Sequence, residues 1–76
     1  MIWIRTQTKE ELIECNEFML CYTITYDEFF FRGHDLIIGK YSTEAKALKV
    51  LDMIQEAIEN NVIFQMPLDS EVKEDD

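Results

Sequence analysis

The chain has 76 residues, of which 47% are hydrophobic, and a formal net charge of −9 at pH 7. A chain of this length forms one small domain and buries only about 60% of the surface that it exposes when unfolded, so we expect oligomerisation to add buried surface. The acidic surplus repels phosphate backbones and disfavours direct binding of nucleic acid. No segment approaches the roughly 20 apolar residues of a membrane span.

The redox state of the two cysteines, Cys15 and Cys21, depends on the cellular compartment of the protein. Arg5 and Glu10 interrupt any apolar run near the first residue, so a secretory signal is not expected. Thiols of a protein that is not exported stay reduced, and free cysteines on strands are usually small core residues. The sequence therefore predicts a cytoplasmic protein.

Alternating apolar and polar residues in the first half of the chain predict β-strands. The predicted extended segments cover residues 2–6, 11–15, 18–26, 29–32, 36–41 and 62–65. The first two form a hairpin, and in the first strand Trp3, Arg5 and Gln7 share one face. The segments at 29–32 and 36–41 are apolar on both faces, which predicts that a helix covers one face and a partner or ligand covers the other.

The period of the apolar pattern changes from two to about 3.6 residues near Ser42, which predicts a helix over residues 43–60. Ser42 or Thr43 can cap its first turn, and the pair Asn60-Asn61 supplies a left-handed stop. The apolar stripe of this helix comprises Ala47, Val50, Leu51, Ile54, Ala57 and Ile58. We predict an α+β fold in which a small antiparallel sheet of four or five strands carries this amphipathic helix across one face.

The end of the chain has a different composition. Residues 69–76 carry five acidic side chains and one lysine, with Val72 as the only apolar residue. This is too little apolar surface to offset the entropy of ordering the backbone, about 1–2 kcal/mol per residue. The sequence thus predicts a single domain over residues 1–68 and an acidic, disordered tail over residues 69–76 that folding does not require.

The usual signatures of catalysis and of metal or cofactor binding are missing from the sequence. His34 lies in a predicted turn between a glycine and an aspartate, and a catalytic base would also need a nucleophile and an orienting group, which the sequence does not display. Cys15, Cys21 and His34 do not have the spacing of a zinc site. Gly33 and Gly39 are the only glycines, which excludes a glycine-rich phosphate loop. We expect neither enzymatic activity nor a metal or cofactor.

Basic residues collect around the predicted helix start. Lys46 and Lys49 lie in the N-terminal half of the helix, against the preference of the helix dipole, and the free N–H groups of a helix start bind anions. We therefore predict a site for a phosphate-bearing, nucleotide-like small molecule, composed of Trp3, Arg5, Gln7, Lys40, Tyr41, Ser42 and Thr43. In the alternative interpretation the lysines are solvated, the cap is ordinary, and Arg5 pairs with Glu11 or Glu14 across the hairpin.

Nine aromatic residues exceed the number that one helix can cover. Exposed aromatic side chains line interfaces or stack on planar ligands, and Trp3, Tyr22 and Tyr26 are candidates for this use. The surplus predicts a homo-oligomer, in its simplest form a symmetric dimer.

Several stretches together resemble a known family of small uncharacterised proteins from Gram-positive bacteria, their phages and other mobile elements. These stretches are Trp3-Ile4-Arg5-Thr6-Gln7, Gly39-Lys40-Tyr41-Ser42-Thr43-Glu44, Ala47, Val50-Leu51-Asp52-Met53-Ile54-Gln55 and Ile63-Phe64-Gln65-Met66-Pro67. The similarity covers nearly the whole chain and is weakest over residues 17–36. It implies an antagonist of host defence that works in the host cytoplasm if the chain is encoded by a phage.

Three functions follow as alternatives. The first is a non-enzymatic homo-oligomer that binds and sequesters a nucleotide-derived signal, using Arg5, Gln7, Tyr41 and Thr43. The second is an acidic inhibitor or DNA mimic that binds a host defence protein. The third is a structural interaction module without a ligand.

Overall fold

The computed structural model of the protein describes residues 2–73. Its elements are β1 (Ile2–Arg5), β2 (Leu12–Cys15), β3 (Phe18–Thr23), β4 (Glu28–Gly33), β5 (Leu36–Tyr41), α1 (Glu44–Asn60) and β6 (Phe64–Gln65). A short 3-10 helix, Asp69–Glu71, follows β6. The predicted α+β class, with one helix packed on the sheet, is confirmed.

The six strands form two three-stranded sheets, with the strand orders β2-β1-β6 and β3-β4-β5. The prediction was a single antiparallel sheet of four or five strands. The difference arises after the helix, where β6 returns beside β1 and pairs with it in parallel, whereas the other strand pairs are antiparallel. A parallel pair needs a long connection. Here the second sheet and the helix lie in the connection between β1 and β6. The periodicity of the sequence does not reveal that β6 returns beside β1.

One core joins both sheets to the helix. In β1 the side chains of Ile2 and Ile4 are buried while those of Trp3 and Arg5 are exposed, as the alternation predicted. The core consists of Ile2, Ile4, Phe31, Ile38, Tyr41, Ala47, Val50, Ile54, Ala57, Phe64, Met66 and Val72. These residues come from both sheets and from the helix and form one cluster, so the two sheets share a single core.

The helix buries a narrower stripe than the sequence predicted. Its buried residues are Ala47, Val50, Ile54 and Ala57. Leu51 and Ile58, which the helical periodicity of the sequence places in the same stripe, are 38% and 45% exposed. Both lie on one flank of the stripe, and the rest of the protein covers only the centre and the opposite flank.

Both ends of the helix follow the predicted capping chemistry. The Thr43 side chain accepts a hydrogen bond from the backbone N–H of Lys46 over 3.2 Å, which satisfies one of the free donors of the first turn. Asn61 has the left-handed conformation, with φ of 54°, and its N–H donates to the Ile58 carbonyl. A short polar side chain tolerates that conformation better than most residues.

The third strand is shorter than predicted. It ends at Thr23 because the following four residues form a turn in which Asp27 has φ of 49°. The Tyr22 hydroxyl donates to the Asp27 carboxylate over 2.7 Å and holds this turn closed. Ile24 and Tyr26, predicted as strand residues, therefore lie at the hairpin tip, where they are 85% and 76% exposed.

The chain after β6 packs on the domain, in contrast to the predicted disordered tail. Val72 is 5% exposed and belongs to the core. Lys49 Nζ donates to the carbonyl of Lys73 over 3.0 Å. The predicted domain end at 68 is therefore too early, since contacts with the body order residues 69–73. The remainder of the predicted tail, 74–76, lies outside the described residues.

The first prediction separates the centre of the helix stripe from its flank. Ile54→Ala removes a side chain that is 1% exposed and should lower the free energy of unfolding by about 2–5 kcal/mol. Leu51→Ala, at a side chain that is 38% exposed, should cost about 1 kcal/mol or less. Urea denaturation measures both. Equal losses would contradict the orientation of the helix.

The second prediction concerns the C-terminal segment. Val72→Ala should lower the free energy of unfolding by about 1–2 kcal/mol, because it removes two buried carbon atoms, and truncation after Leu68 should cost more. Ser70→Ala, at an exposed neighbouring position, is the control and should leave stability unchanged. If truncation leaves the thermal midpoint unchanged, Val72 does not contribute to the core in solution.

Candidate functional site

Gln7, predicted as a ligand-binding residue, is a structural link between the two sheets. Its backbone N–H donates to the Ile38 carbonyl over 2.9 Å. Its Oε1 accepts from Lys40 N–H over 2.9 Å, while its Nε2 donates to the carbonyls of Lys40 and Pro67, each over 3.0 Å. The amide thus pairs with β5 as a short strand would. These bonds use the amide groups that the prediction assigned to a ligand.

Tyr41 is likewise built into the fold. Its side chain is 1% exposed and its hydroxyl donates to the Pro67 carbonyl over 2.7 Å. The ring packs edge-on against Phe31, with centroids 6.0 Å apart. Burial raises the pKa of the Tyr41 phenol, and the carboxylates of Asp69 and Glu71 raise it further. Because its pKa is raised, the phenol stays neutral. Because the ring is buried, it has no face available for stacking on a ligand.

An anion does lie beside the helix start, but it is a side chain of the same protein, and it bonds to Ser42 and Lys46 rather than to the free N–H groups of the first turn. The Asp69 carboxylate accepts from Ser42 N–H over 2.8 Å and from the Ser42 hydroxyl over 3.0 and 3.1 Å. Lys46 Nζ lies 3.5 Å from the same carboxylate. The predicted phosphate site included this position, and the Asp69 carboxylate lies there instead. The prediction missed this occupant because Asp69 was assigned to the tail on composition.

These contacts set the ionisation of Asp69. Partial burial by itself would raise the pKa of the Asp69 carboxyl. The hydrogen bonds from Ser42 and the charge of Lys46 outweigh that effect and lower the pKa below its ordinary value. The carboxylate is therefore charged at neutral pH, where it opposes the binding of a second anion at the helix start.

The remaining predicted site residues do not converge. Trp3 is 45% exposed and Arg5 is exposed on the same face of β1, with Arg5 Nε donating to the Lys9 carbonyl over 2.9 Å. Lys40 lies on β5, where its Nζ is 4.0 Å from the Glu28 carboxylate. The seven predicted residues thus divide into structural contacts, a helix cap and two exposed surfaces.

Trp3 and Arg5 belong to a surface that the sequence did not predict as a unit, the outer face of the first sheet. Cross-strand pairing places Glu14 opposite Trp3 and Leu12 opposite Arg5. The parallel pairing of β6 places Gln65 beside Arg5, and the alternation along that segment places Ile63 near Trp3. We define the outer face of the first sheet as Trp3, Arg5, Leu12, Glu14, Ile63 and Gln65.

This face combines apolar side chains with Arg5 on its central strand, and around them the acids Glu10, Glu11 and Glu14 outnumber Lys9. Trp3, Leu12 and Ile63 are 45%, 51% and 65% exposed. An open depression of about 350 Å³ adjoins them, lined by Arg5, Lys9, Glu10, Glu11, Leu12 and Ile63. Sequence reasoning found Trp3 and Arg5 but not Leu12 or Ile63, because strand pairing decides which residues share a face.

The cysteines and the histidine lie apart from this face. Cys15 is buried, and burial raises the pKa of its thiol, which makes it less reactive. Cys21 is half-buried on β3. His34 lies in the tight turn between β4 and β5, as predicted, with φ of 51°. Within residues 2–73, no three side chains of His, Cys, Asp or Glu are grouped so that they could hold a metal ion.

Comparison with known protein families, curated proteins and solved structures finds no match. The similarity to phage-type proteins consequently stays a prediction. In the part of the chain that the structure describes, no helix is long and apolar enough to cross a membrane. Over the same residues, every buried side-chain nitrogen or oxygen has a hydrogen-bond partner.

The third prediction uses the lowered pKa of Asp69. A group whose pKa is lower in the folded state stabilises the fold above its ordinary pKa, and the contribution is lost as the pH falls. Wild type should therefore exceed Asp69→Asn in free energy of unfolding at pH 7, by about 1 kcal/mol or less because the carboxylate is 39% exposed. Below about pH 4 this difference should shrink.

Chemical denaturation at a series of pH values from about 2.5 to 7, a range that spans the titration of a carboxyl group, measures this difference in free energy of unfolding. Asp52→Asn removes the same charge from an exposed position on the helix and serves as the control. If Asp52→Asn and Asp69→Asn behave alike, the carboxylate does not bond to Ser42 and Lys46 in solution.

Proposed function

We propose that the protein is a non-enzymatic binding module whose outer face of the first sheet binds a basic segment of another protein. The observation that carries this proposal is the combination of exposed apolar side chains with charges among which acids outnumber bases. A tryptophan and two aliphatic side chains supply the apolar part, and Glu10, Glu11 and Glu14 lie around them together with Arg5 and Lys9. Protein interfaces likewise combine apolar side chains with polar ones.

The charges determine which partner this face suits. Opposite charges around an interface accelerate association and exclude wrong partners. The chain carries 16 acidic and 7 basic residues, so its field attracts a basic surface and repels an acidic one. A protein that binds nucleic acid offers such a basic surface.

This proposal develops the alternative of an acidic inhibitor. Proteins that bind nucleic acid carry basic patches, which an acidic partner can cover. The resemblance to phage-type proteins makes a host defence protein of this kind the first partner to test. On this proposal the protein works in the cytoplasm, the host cytoplasm if a phage encodes it, and needs no cofactor.

Sequestration of a nucleotide-derived signal is the second candidate. The observation that favours it is that Trp3 and Arg5 lie side by side on an exposed face, where a base could stack and a phosphate could bind. The internal bonds of Gln7, Tyr41 and Ser42 and the net negative charge weigh against it. This candidate consequently ranks below protein binding.

The fourth prediction tests both candidates with matched variants. Immobilised wild type, Trp3→Ala and Ile24→Ala are exposed to host lysate, and captured basic proteins are then purified and titrated. Truncation of Trp3 should raise the dissociation constant of a specific partner by about 30-fold, as for a typical hot spot. Ile24→Ala should bind like wild type, because Ile24 is 85% exposed at the distant hairpin tip. Affinity should also fall as salt rises.

Calorimetry of the wild type against a panel of nucleotides forms the second arm. Binding that Arg5→Ala abolishes would favour sequestration over protein binding. Equal capture by wild type and Trp3→Ala would contradict the proposed role of the outer face. The intrinsic fluorescence of Trp3, the only tryptophan in the chain, reports directly on contact with this face.

A further inference from the structure

We infer that β3 is the surface through which two copies of this chain associate, edge to edge and antiparallel. The second sheet would then continue into that of the partner copy as one sheet of six strands. This inference does not depend on the partner proposed for the outer face of the first sheet. It rests on the way the other sheet edges are blocked.

The two sheets have four edges, and three of them are protected. β2 is four residues long, and Glu14 within it places an acidic side chain on that edge. β6 is only two residues long. The edge of β5 already pairs with Gln7, whose backbone and side chain bond to Ile38 and Lys40. Within residues 2–73 this leaves the edge of β3, which pairs with β4 alone.

β3 has none of the features that protect natural edge strands. Such edges are blunted by charged residues, by proline, by a β-bulge or by shortness. The sequence of β3, Phe-Met-Leu-Cys-Tyr-Thr, contains no charge and no proline. All six residues pair in register with β4, and the irregularity of this sheet falls between β4 and β5 instead. A straight, uncharged strand therefore offers its outer edge for pairing.

A second copy of the chain suits this edge better than a charged partner does. Each copy carries a net charge of −9, so association requires a surface on which few acids meet. Two copies of β3, related by a two-fold axis, bring together no charged side chain. The antiparallel pairing of identical strands is also self-complementary, as a symmetric dimer requires.

Neighbouring exposed apolar residues extend this surface. Met19 is 63% exposed on the outer side of β3, where the half-buried side chains of Cys21 and Phe30 lie opposite each other. Over the whole described chain, 14 large hydrophobic residues are exposed, whereas 13 hydrophobic residues are buried. A domain with so much apolar surface left over gains stability when a partner covers part of it.

The fifth prediction tests the interface with two matched variants. Sedimentation equilibrium of the wild type at 10–100 µM (roughly the range in which weak dimers form) should give twice the monomer mass of 9.1 kDa. Met19→Glu should give the monomer, because it places like charges in both copies at the shared edge. Met53→Glu makes the same change on the helix, at a side chain that is 40% exposed, and should remain dimeric.

Far-UV circular dichroism verifies that both variants fold, and pairing with Arg32 should accommodate the new carboxylate at position 19. A measurement on the wild type guards against a variant that fails to fold. Antiparallel pairing places the two copies of Cys21 opposite or diagonal to each other, within about 8 Å, so a short bismaleimide should link them. Cys15, which is 2% exposed, should not react.

A monomeric wild type would overturn the inference. A dimer that Met53→Glu dissociates while Met19→Glu does not would also overturn it, as would a dimer that no reagent links through Cys21. None of these results would affect the outer face of the first sheet, because Met19 and Cys21 belong to the second sheet. The two proposals can therefore fail independently.

Discussion

The fold depends on the hydrogen bonds of one residue, Gln7. It follows β1, and from there its amide bonds reach Ile38 and Lys40 on β5 and Pro67 after β6. Three parts of the chain that are far apart in sequence are thereby held together. A domain this small has two three-stranded sheets and one shared core, so the link between the sheets decides whether that core closes.

The segment around Pro67 continues the same network. Its carbonyl accepts from both Gln7 and the buried Tyr41 hydroxyl. Two residues later Asp69 accepts hydrogen bonds from Ser42, just before the helix start, after which Val72 enters the core. Three of the residues that the sequence predicted for a phosphate ligand, Gln7, Tyr41 and Ser42, thus fasten the C-terminal segment to the domain. Ser42 and Lys46 beside the helix start attract an anion, and the Asp69 carboxylate of the same chain occupies this position.

With these donors engaged, the surfaces left for function are the outer sides of the two sheets. One combines exposed apolar side chains with charges among which acids outnumber bases, and the other borders an uncharged edge strand. The two differ in charge and in geometry, since side chains make the first recognition surface and backbone groups make the second. On the two proposals, a chain of 76 residues would bind a foreign protein and its own copy through separate surfaces.

The sequence by itself determined the local structure. The change of period near Ser42 located the helix, Thr43 and Asn61 fixed its ends, and the alternation in β1 fixed which side chains are buried. These features depend on neighbours within a few residues of each other. Only the tertiary structure decided that β6 pairs with β1, that Leu51 stays exposed, that Asp69 and Val72 belong to the domain, and that Gln7 and Tyr41 are structural. Each of these outcomes depends on contacts between residues distant in sequence, which neither composition nor periodicity encodes.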